Sequence, residues 1–192
     1  MPKFICMVLF LIFNFSGNLF AQEKFEKERR IKKANVPAEA LSFVDALDVK
    51  SKVKWFKEEG LNQKSIEAKF KHHKAKYSVE FDTLGKVEDI EIEVNWRDLS
   101  SIVSDSICLQ LSSDCSKYKI VKVQKQYSGD ASALISMLKA GTNSSTLTIK
   151  YELVVKCHQQ KKVDLFEYLF SEKGQLISTS KIVFKNSSHL EY

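Results

Sequence analysis

The clearest periodicity in the chain is two-residue alternation. From Ser65 to Lys71 the sequence SIEAKFK puts Ile66, Ala68 and Phe70 on one side of an extended backbone and Glu67, Lys69 and Lys71 on the other. KYSVEFD and VEDIEIEV alternate in the same way, and DTLG between them supplies a turn with a glycine. KVKWF, shortly before, reads as a further strand. Ahead of these strands Ala40, Val44 and Leu47 fall at helical spacing behind Pro37, which suits a first helical turn because it has the right φ and no N–H to leave unpaired. The pattern predicts one helix followed by four antiparallel strands, from Val36 to Val94.

The plan then recurs. Leu99, Val103, Ile107 and Leu111 repeat every fourth residue, predicting a second helix. Four alternating segments follow: KYKIVKVQKQYS, TLTIKYELVVKC, VDLFEYLF and QLISTSKIVF. A polar stretch from Gly129 to Ser145 interrupts them, with a short helical piece at Ala131 to Leu138. Superposing Gly85 on Gly174 places Tyr77 on Phe166, Val79 on Tyr168, Phe81 on Phe170 and Val87 on Leu176. The fold class this predicts is α+β: two tandem α-β-β-β-β units, residues 36–94 and 95–192, each an antiparallel sheet with a helix on one face. Tyr77, Val79 and Phe81 are expected to be buried with Ile66 and Phe70. Phe166, Tyr168 and Phe170 are expected to be buried with Ile149, Tyr151 and Leu153.

The N-terminus follows another rule. Lys3 precedes an unbroken apolar run from Phe4 to Phe13, polar residues break it, and Leu19-Phe20-Ala21 ends on a small side chain before a charged stretch. That order predicts a signal peptide, residues 1–21, cleaved after Ala21, and a periplasmic or secreted mature protein. The apolar run is shorter than the about 20 residues a bilayer requires, so no membrane span is expected in the mature chain. Residues 22–35 read as a charged, solvated leader. The whole chain has 192 residues and a net charge of +6. Both signs are interspersed along it, and a nucleic-acid partner is not expected.

VPAEALSFVDAL, KVKWFKEEG and the hairpin YSVEFDTLGKVEDIEIEV together resemble the PepSY-like family of exported bacterial proteins, also labelled β-lactamase-inhibitor-like (BLIP-like), of Bacteroidota type. The matching parts are the Pro-led helix, the Trp-bearing strand and the aromatic hairpin with its turn glycine. In outline they cover both units. The resemblance implies the fold and an exported protein. It implies no activity, because the matching motifs are packing and turn patterns.

Chemistry-bearing residues are sparse. G-x-S-x-G, H-E-x-x-H, a P-loop and C-x-x-C are all missing from the sequence, and neither an enzyme nor a cofactor is expected. His72 and His73 fall at one predicted turn and Cys157 and His158 near another, but without a recognised zinc spacing; exposed turn residues are the expectation. Glu88, Asp89, Glu91 and Glu93 read as a solvated acidic strand face. Of the mature cysteines, Cys157 lies on an apolar strand face and reads as a buried thiol, whereas Cys108 and Cys115 are the expected disulfide pair, provided the helix ends before Cys115.

Function is therefore expected on the sheet faces left free by the helices. In the first unit that face carries Glu67, Lys69, Lys71, Ser78, Glu80, Glu91 and Glu93, expected to be wet. In the second it carries Lys150, Glu152, Val154, Leu165 and Leu169, and the three apolar residues mark it as the place where another envelope or extracellular protein would bind. A carrier of a small ligand or metal is the alternative, and it requires a cavity with convergent polar groups.

Overall fold

The computed structural model describes residues 22–25, 27–60, 64–141, 145–159 and 162–183. The expected signal peptide lies outside the described residues. Thirteen elements follow in order: β1 (Gln22–Phe25), β2 (Lys27–Ile31), α1 (Ala38–Ala46), β3 (Lys54–Glu59), β4 (Lys64–His72), β5 (Ala75–Phe81), β6 (Val87–Glu93), α2 (Ser101–Asp114), β7 (Lys117–Ser128), α3 (Ala131–Ala140), β8 (Thr148–Gln159), β9 (Lys162–Ser171) and β10 (Leu176–Val183). The fold is α+β. The series α1-β3-β4-β5-β6 and α2-β7-β8-β9-β10 lie in one sheet, joined where β6 pairs with β7. Strands β2 to β10 are antiparallel neighbours, and β1 adds to β10 in parallel.

The alternation fixes which side of the sheet meets the helices. Ile66, Ala68 and Phe70 of β4, with Val79, Phe81 and Ile90 of the next two strands, are buried under Ala40, Phe43 and Val44 of α1. Leu134 and Met137 of α3 complete that core. Val103, Ile107 and Leu111 of α2 bury Val123, Leu153, Val155, Phe166, Tyr168 and Phe170. Each fully buried large apolar side chain contributes about 1.5–3 kcal/mol. Tyr77, Ile149 and Tyr151 are half-buried at the edges of these cores.

The two aligned turn glycines do the same job in each series. Gly85 has φ +97°, and a Cβ there would lie 2.7 Å from Pro37 Cβ and 2.9 Å from Ala40 N. Gly174 has φ +77°, and its Cβ would lie 2.9 Å from Val103 O. Each turn is pressed against the helix of its own series, and Ser106 Oγ donates to Gly174 O at 2.9 Å. The backbone conformation and the close approach both require glycine.

Three expectations are corrected. Residues 22–25 and 27–31 are strands, not a solvated arm: β2 pairs with β3 at one end of the sheet and β1 with β10 at the other. Only one residue separates β1 from β2, so Phe25 and Lys27 lie within about 7.6 Å of each other. The two ends of the sheet therefore approach, and the sheet curls round its helix-free face. The second correction follows from the curl. Glu67, Ser78 and Glu91, expected to be wet, are buried at 4–5% exposure, as is Gln124. The third concerns sulfur. Cys115 is joined to Cys157 at a Cα separation of 5.4 Å, and Cys108 is free. Helix α2 runs unbroken to Asp114, with Cys115 N still bonded to Leu111 O. Seven residues of helix rise about 10.5 Å, beyond disulfide reach, so Cys108 cannot meet Cys115. The strand face that buries Cys157 lies beneath the end of α2 and so presents it to Cys115.

Candidate functional site

The helix-free face is the inner face of the curled sheet. Register places Glu67 of β4 opposite Glu80 of β5, and Glu80 opposite Asp89 of β6. One row across three neighbouring strands is thus all carboxylate, an arrangement that repulsion between directly opposite like charges disfavours. In the adjacent row Ser78 lies opposite Lys69 and Glu91. Gln124 of β7 lies between Glu93 and Glu152, and Gln126 between Glu91 and Lys150.

Hydrogen bonds tie these rows together. Ser78 Oγ donates to Glu67 Oε1. Gln124 Nε2 donates to Glu91 Oε2 at 2.6 Å, and Gln126 Nε2 to Asp89 Oδ2 at 3.1 Å. Lys69 Nζ lies 2.8 Å from Glu67 Oε2 and 3.0 Å from Glu28 Oε2, and 5.1 Å from the centroid of the Phe56 ring. Burial alone would favour neutral Lys69, but Glu67 and Glu28 outweigh it and hold the ammonium charged well beyond its ordinary range. Glu80 and Glu91 move the other way. Burial, reinforced by neighbouring carboxylates, pushes both well above the usual carboxylate range. For Glu80 those neighbours are Asp89, Glu58, Glu67 and Glu152. For Glu91 they are Glu152, Glu80 and Asp89, partly offset by Lys122.

Two carboxylate triads result. The ligand oxygens of Glu28, Glu58 and Glu67 lie within 4.8 Å of one another, and so do those of Glu80, Asp89 and Glu91. A cavity of about 450 Å³ is lined by Lys54, Lys69, Lys76, Lys122, Ser78 and Gln124, with Tyr77 and Glu93, and the triad carboxylates are not among its lining residues. It falls in the size range of small-ligand sites. A wider hollow of about 740 Å³ lies between α1 and β2–β3, lined by Arg30, Lys33, Asp45 and Trp55. It is on the opposite side of the sheet from the triads.

The expected partner-binding residues fall on this same inner face. Leu169 lies opposite Glu152, Val154 opposite Glu167, and Leu165 opposite Lys156. Val154, Leu165, Leu169, Lys150 and Glu152 are all half-buried rather than exposed, because the face curves inward. Among the described residues the histidines assemble no metal site with cysteine. His72 and His73 meet edge to face at the β4–β5 turn with ring centroids 4.0 Å apart, and Cys157 is held in the disulfide. Gln124 and Gln126 are the residues that sequence reasoning passed over. Their signal was present as alternation within KVQKQY, on the side away from the buried Val123 and Tyr127.

Solved structures share this fold. A DUF2874 family protein of Bacteroides uniformis is 12% identical with a TM-score of 0.51, over 76% of this chain and 89% of that one. A protein of Bacteroides eggerthii, described as a candidate periplasmic protein, is 10% identical with a TM-score of 0.51, over 76% and 88%. A BLIP-like protein of Bacteroides fragilis is 19% identical with a TM-score of 0.46, over 80% and 92%. No family model and no curated protein matches the sequence. At these identities the likeness concerns fold. Among the described residues no helix is long and apolar enough to cross a membrane.

Proposed function

We propose that the chain is an exported, non-catalytic binding module, PepSY-like in plan and built by duplication, that takes a small charged ligand through the lysine-lined mouth onto the inner face of its sheet. The observation that carries this reading is the burial of Glu67, Ser78, Glu91 and Gln124 on a helix-free face, with Ser78 and Gln124 also lining a cavity of about 450 Å³. Buried charge is unfavourable unless it is paired. Lys69 is ion-paired with Glu67 and Glu28 and Lys76 with Glu93, and together with Lys54 and Lys122 they give the cavity a positive lining suited to an anionic ligand. Catalysis finds less support: the one hydroxyl–carboxylate pair described on this face, Ser78 with Glu67, is buried and has no histidine beside it, and the raised carboxyls face other carboxyls and amides. Export rests on the N-terminal pattern, and the B. eggerthii description agrees with it.

Native mass spectrometry of the protein recovered from the cell envelope tests this reading. The mature chain is expected to carry a non-covalent small-molecule mass that Lys54→Glu and Lys122→Glu remove. A bare wild-type mass would reject it. The second reading, another envelope protein as partner, is favoured by Val154, Leu165 and Leu169, which continue the inner face with apolar surface. Its mark would be recovery of a protein from envelope extracts that Leu165→Ser and Leu169→Ser abolish while circular dichroism stays unchanged.

A further inference from the structure

We infer that the lysine-lined cavity binds a small polyanion, a molecule that carries two or more separate negatively charged groups. The inference rests on the reading of the inner face as a ligand site and deepens it by naming what the ligand carries. Six lysines line the cavity, Lys52, Lys54, Lys69, Lys71, Lys76 and Lys122, against one carboxylate, Glu93. Two of the lysines are already committed. Lys69 bonds to Glu67 and Glu28, and Lys76 to both oxygens of Glu93. Lys52, Lys54, Lys71 and Lys122 make no ion pair among the described residues, so four positive charges line one cavity without a counter-charge. Like charges gathered on neighbouring strands repel one another, and an anion from outside relieves the repulsion.

The set is built into the sheet. Ser51 Oγ donates to Lys71 O at 2.6 Å and accepts from Lys71 N at 3.1 Å, which ties the segment ahead of β3 to β4 and keeps Lys52 near Lys71. Register sets Lys54 opposite Lys69, and Lys69 opposite Ser78. At the other end Lys122 lies two residues before Gln124, and Gln124 is opposite Glu93, the partner of Lys76. Ser78 and Gln124 are buried and line the same cavity, so uncharged polar side chains share it with the ammoniums. From β3 to β7 is four strand spacings, about 19 Å along the sheet. One compact anion meets one end of such a set, whereas separate groups on a longer molecule reach both. The cations are all lysine. Arginine presents a planar fork that selects one carboxylate or phosphate by shape, but lysine is a point charge on a flexible stem. Point charges spread over several strands select by the number of negative groups.

The test is isothermal titration calorimetry of the mature chain with sodium tripolyphosphate, inorganic phosphate and sodium acetate at equal ionic strength and neutral pH. Tripolyphosphate is expected to bind at least about tenfold more tightly than inorganic phosphate, and acetate to give no heat. Raising sodium chloride from about 50 mM to about 0.3 M should weaken tripolyphosphate binding, because the lysine charges are screened. Lys52→Gln/Lys54→Gln and Lys71→Gln/Lys122→Gln, each checked for native circular dichroism, should each lose about tenfold in affinity for tripolyphosphate. Lys86→Gln/Lys173→Gln removes the same charge at the two hairpin turns and should lose none. Equal affinity for inorganic phosphate and tripolyphosphate would overturn the polyanion class and leave the anion-binding reading standing. An equal loss in the hairpin-turn variant would overturn the site. A wild type that binds none of the three anions would overturn the inference as well. The broader reading fails separately, on a bare mass of the envelope-recovered protein.

Discussion

The two halves of the sheet share a plan but secure it by different means. In the first, α1 is joined by α3, which crosses from the β7–β8 connection so that Leu134 and Met137 enter the same core as Phe43 and Phe81. In the second, α2 is anchored instead by the Cys115–Cys157 bridge, which links the end of the helix to the strand beneath it. The inner faces differ too. The first half is lined by carboxylates, and the second mixes Val154, Leu165 and Leu169 with Gln124, Lys150, Glu152 and Glu167. The two series thus share their outer packing and differ in their inner chemistry. The helix side accepts any close-packed apolar set, whereas the inner face has no core behind it to constrain which residues it carries.

Perturbing each device separately should separate the halves. The largest effect is expected for Leu134→Ala, which removes a fully buried side chain from the first core: about 3–4 kcal/mol by urea denaturation. A loss below 1 kcal/mol would mean that α3 is dispensable to that half. Replacing both Cys115 and Cys157 by Ala should reduce stability by about 2–4 kcal/mol, with hydrogen exchange rising in α2 and β8 before α1. Equal loosening of both helices would show that the bridge serves the whole sheet. Lys69→Met should follow, at about 2 kcal/mol, because it leaves buried Glu67 without its ammonium. The lysine is 39% exposed at its side chain, which keeps the figure below that of a fully buried pair. Double-mutant analysis with Glu67→Gln measures the coupling.

The smallest expected effect is the pH dependence of the ligand-free protein. Glu80 and Glu91 have folded pKa values raised above the unfolded range by burial and by Glu58, Glu67, Asp89 and Glu152, with Lys122 opposing at Glu91. Between the unfolded and folded values the native state binds more protons. Stability from these groups is therefore fully present below the ordinary carboxylate range and is lost as pH rises through the raised values. Tm should fall modestly from pH 5 to pH 7.5. In Glu80→Gln/Glu91→Gln that fall should flatten.

What the sequence shows of this molecule is the outer face. Ile66, Ala68 and Phe70, the helical spacing of Val103, Ile107 and Leu111, and the paired Gly85 and Gly174 are local periodicities, and each marks a contact that the fold makes. The inner face was hidden because Glu67 and Lys69 alternate with apolar residues just as a solvated strand face does. What buries them is the curl of the sheet, set by pairings between residues more than 150 positions apart, such as Gln22 with Ser180. The disulfide was hidden for a similar reason. Cys115 and Cys157 meet only because α2 packs across β8, whereas nearness in sequence favoured Cys108.

Locating the ligand on the inner face is the claim on which the rest depends, and the Gln124 side-chain amide reports on it directly. In ¹⁵N-labelled, ligand-free protein its NH₂ resonances should show a strong hydrogen bond to Glu91, with slow exchange against solvent. Binding of the small ligand should shift those resonances and the backbone amides of Ser78 and Glu91 together, leaving α1 and α2 unchanged. A Gln124 amide that exchanges freely with water, or ligand-induced shifts confined to the outer surface, would contradict the account.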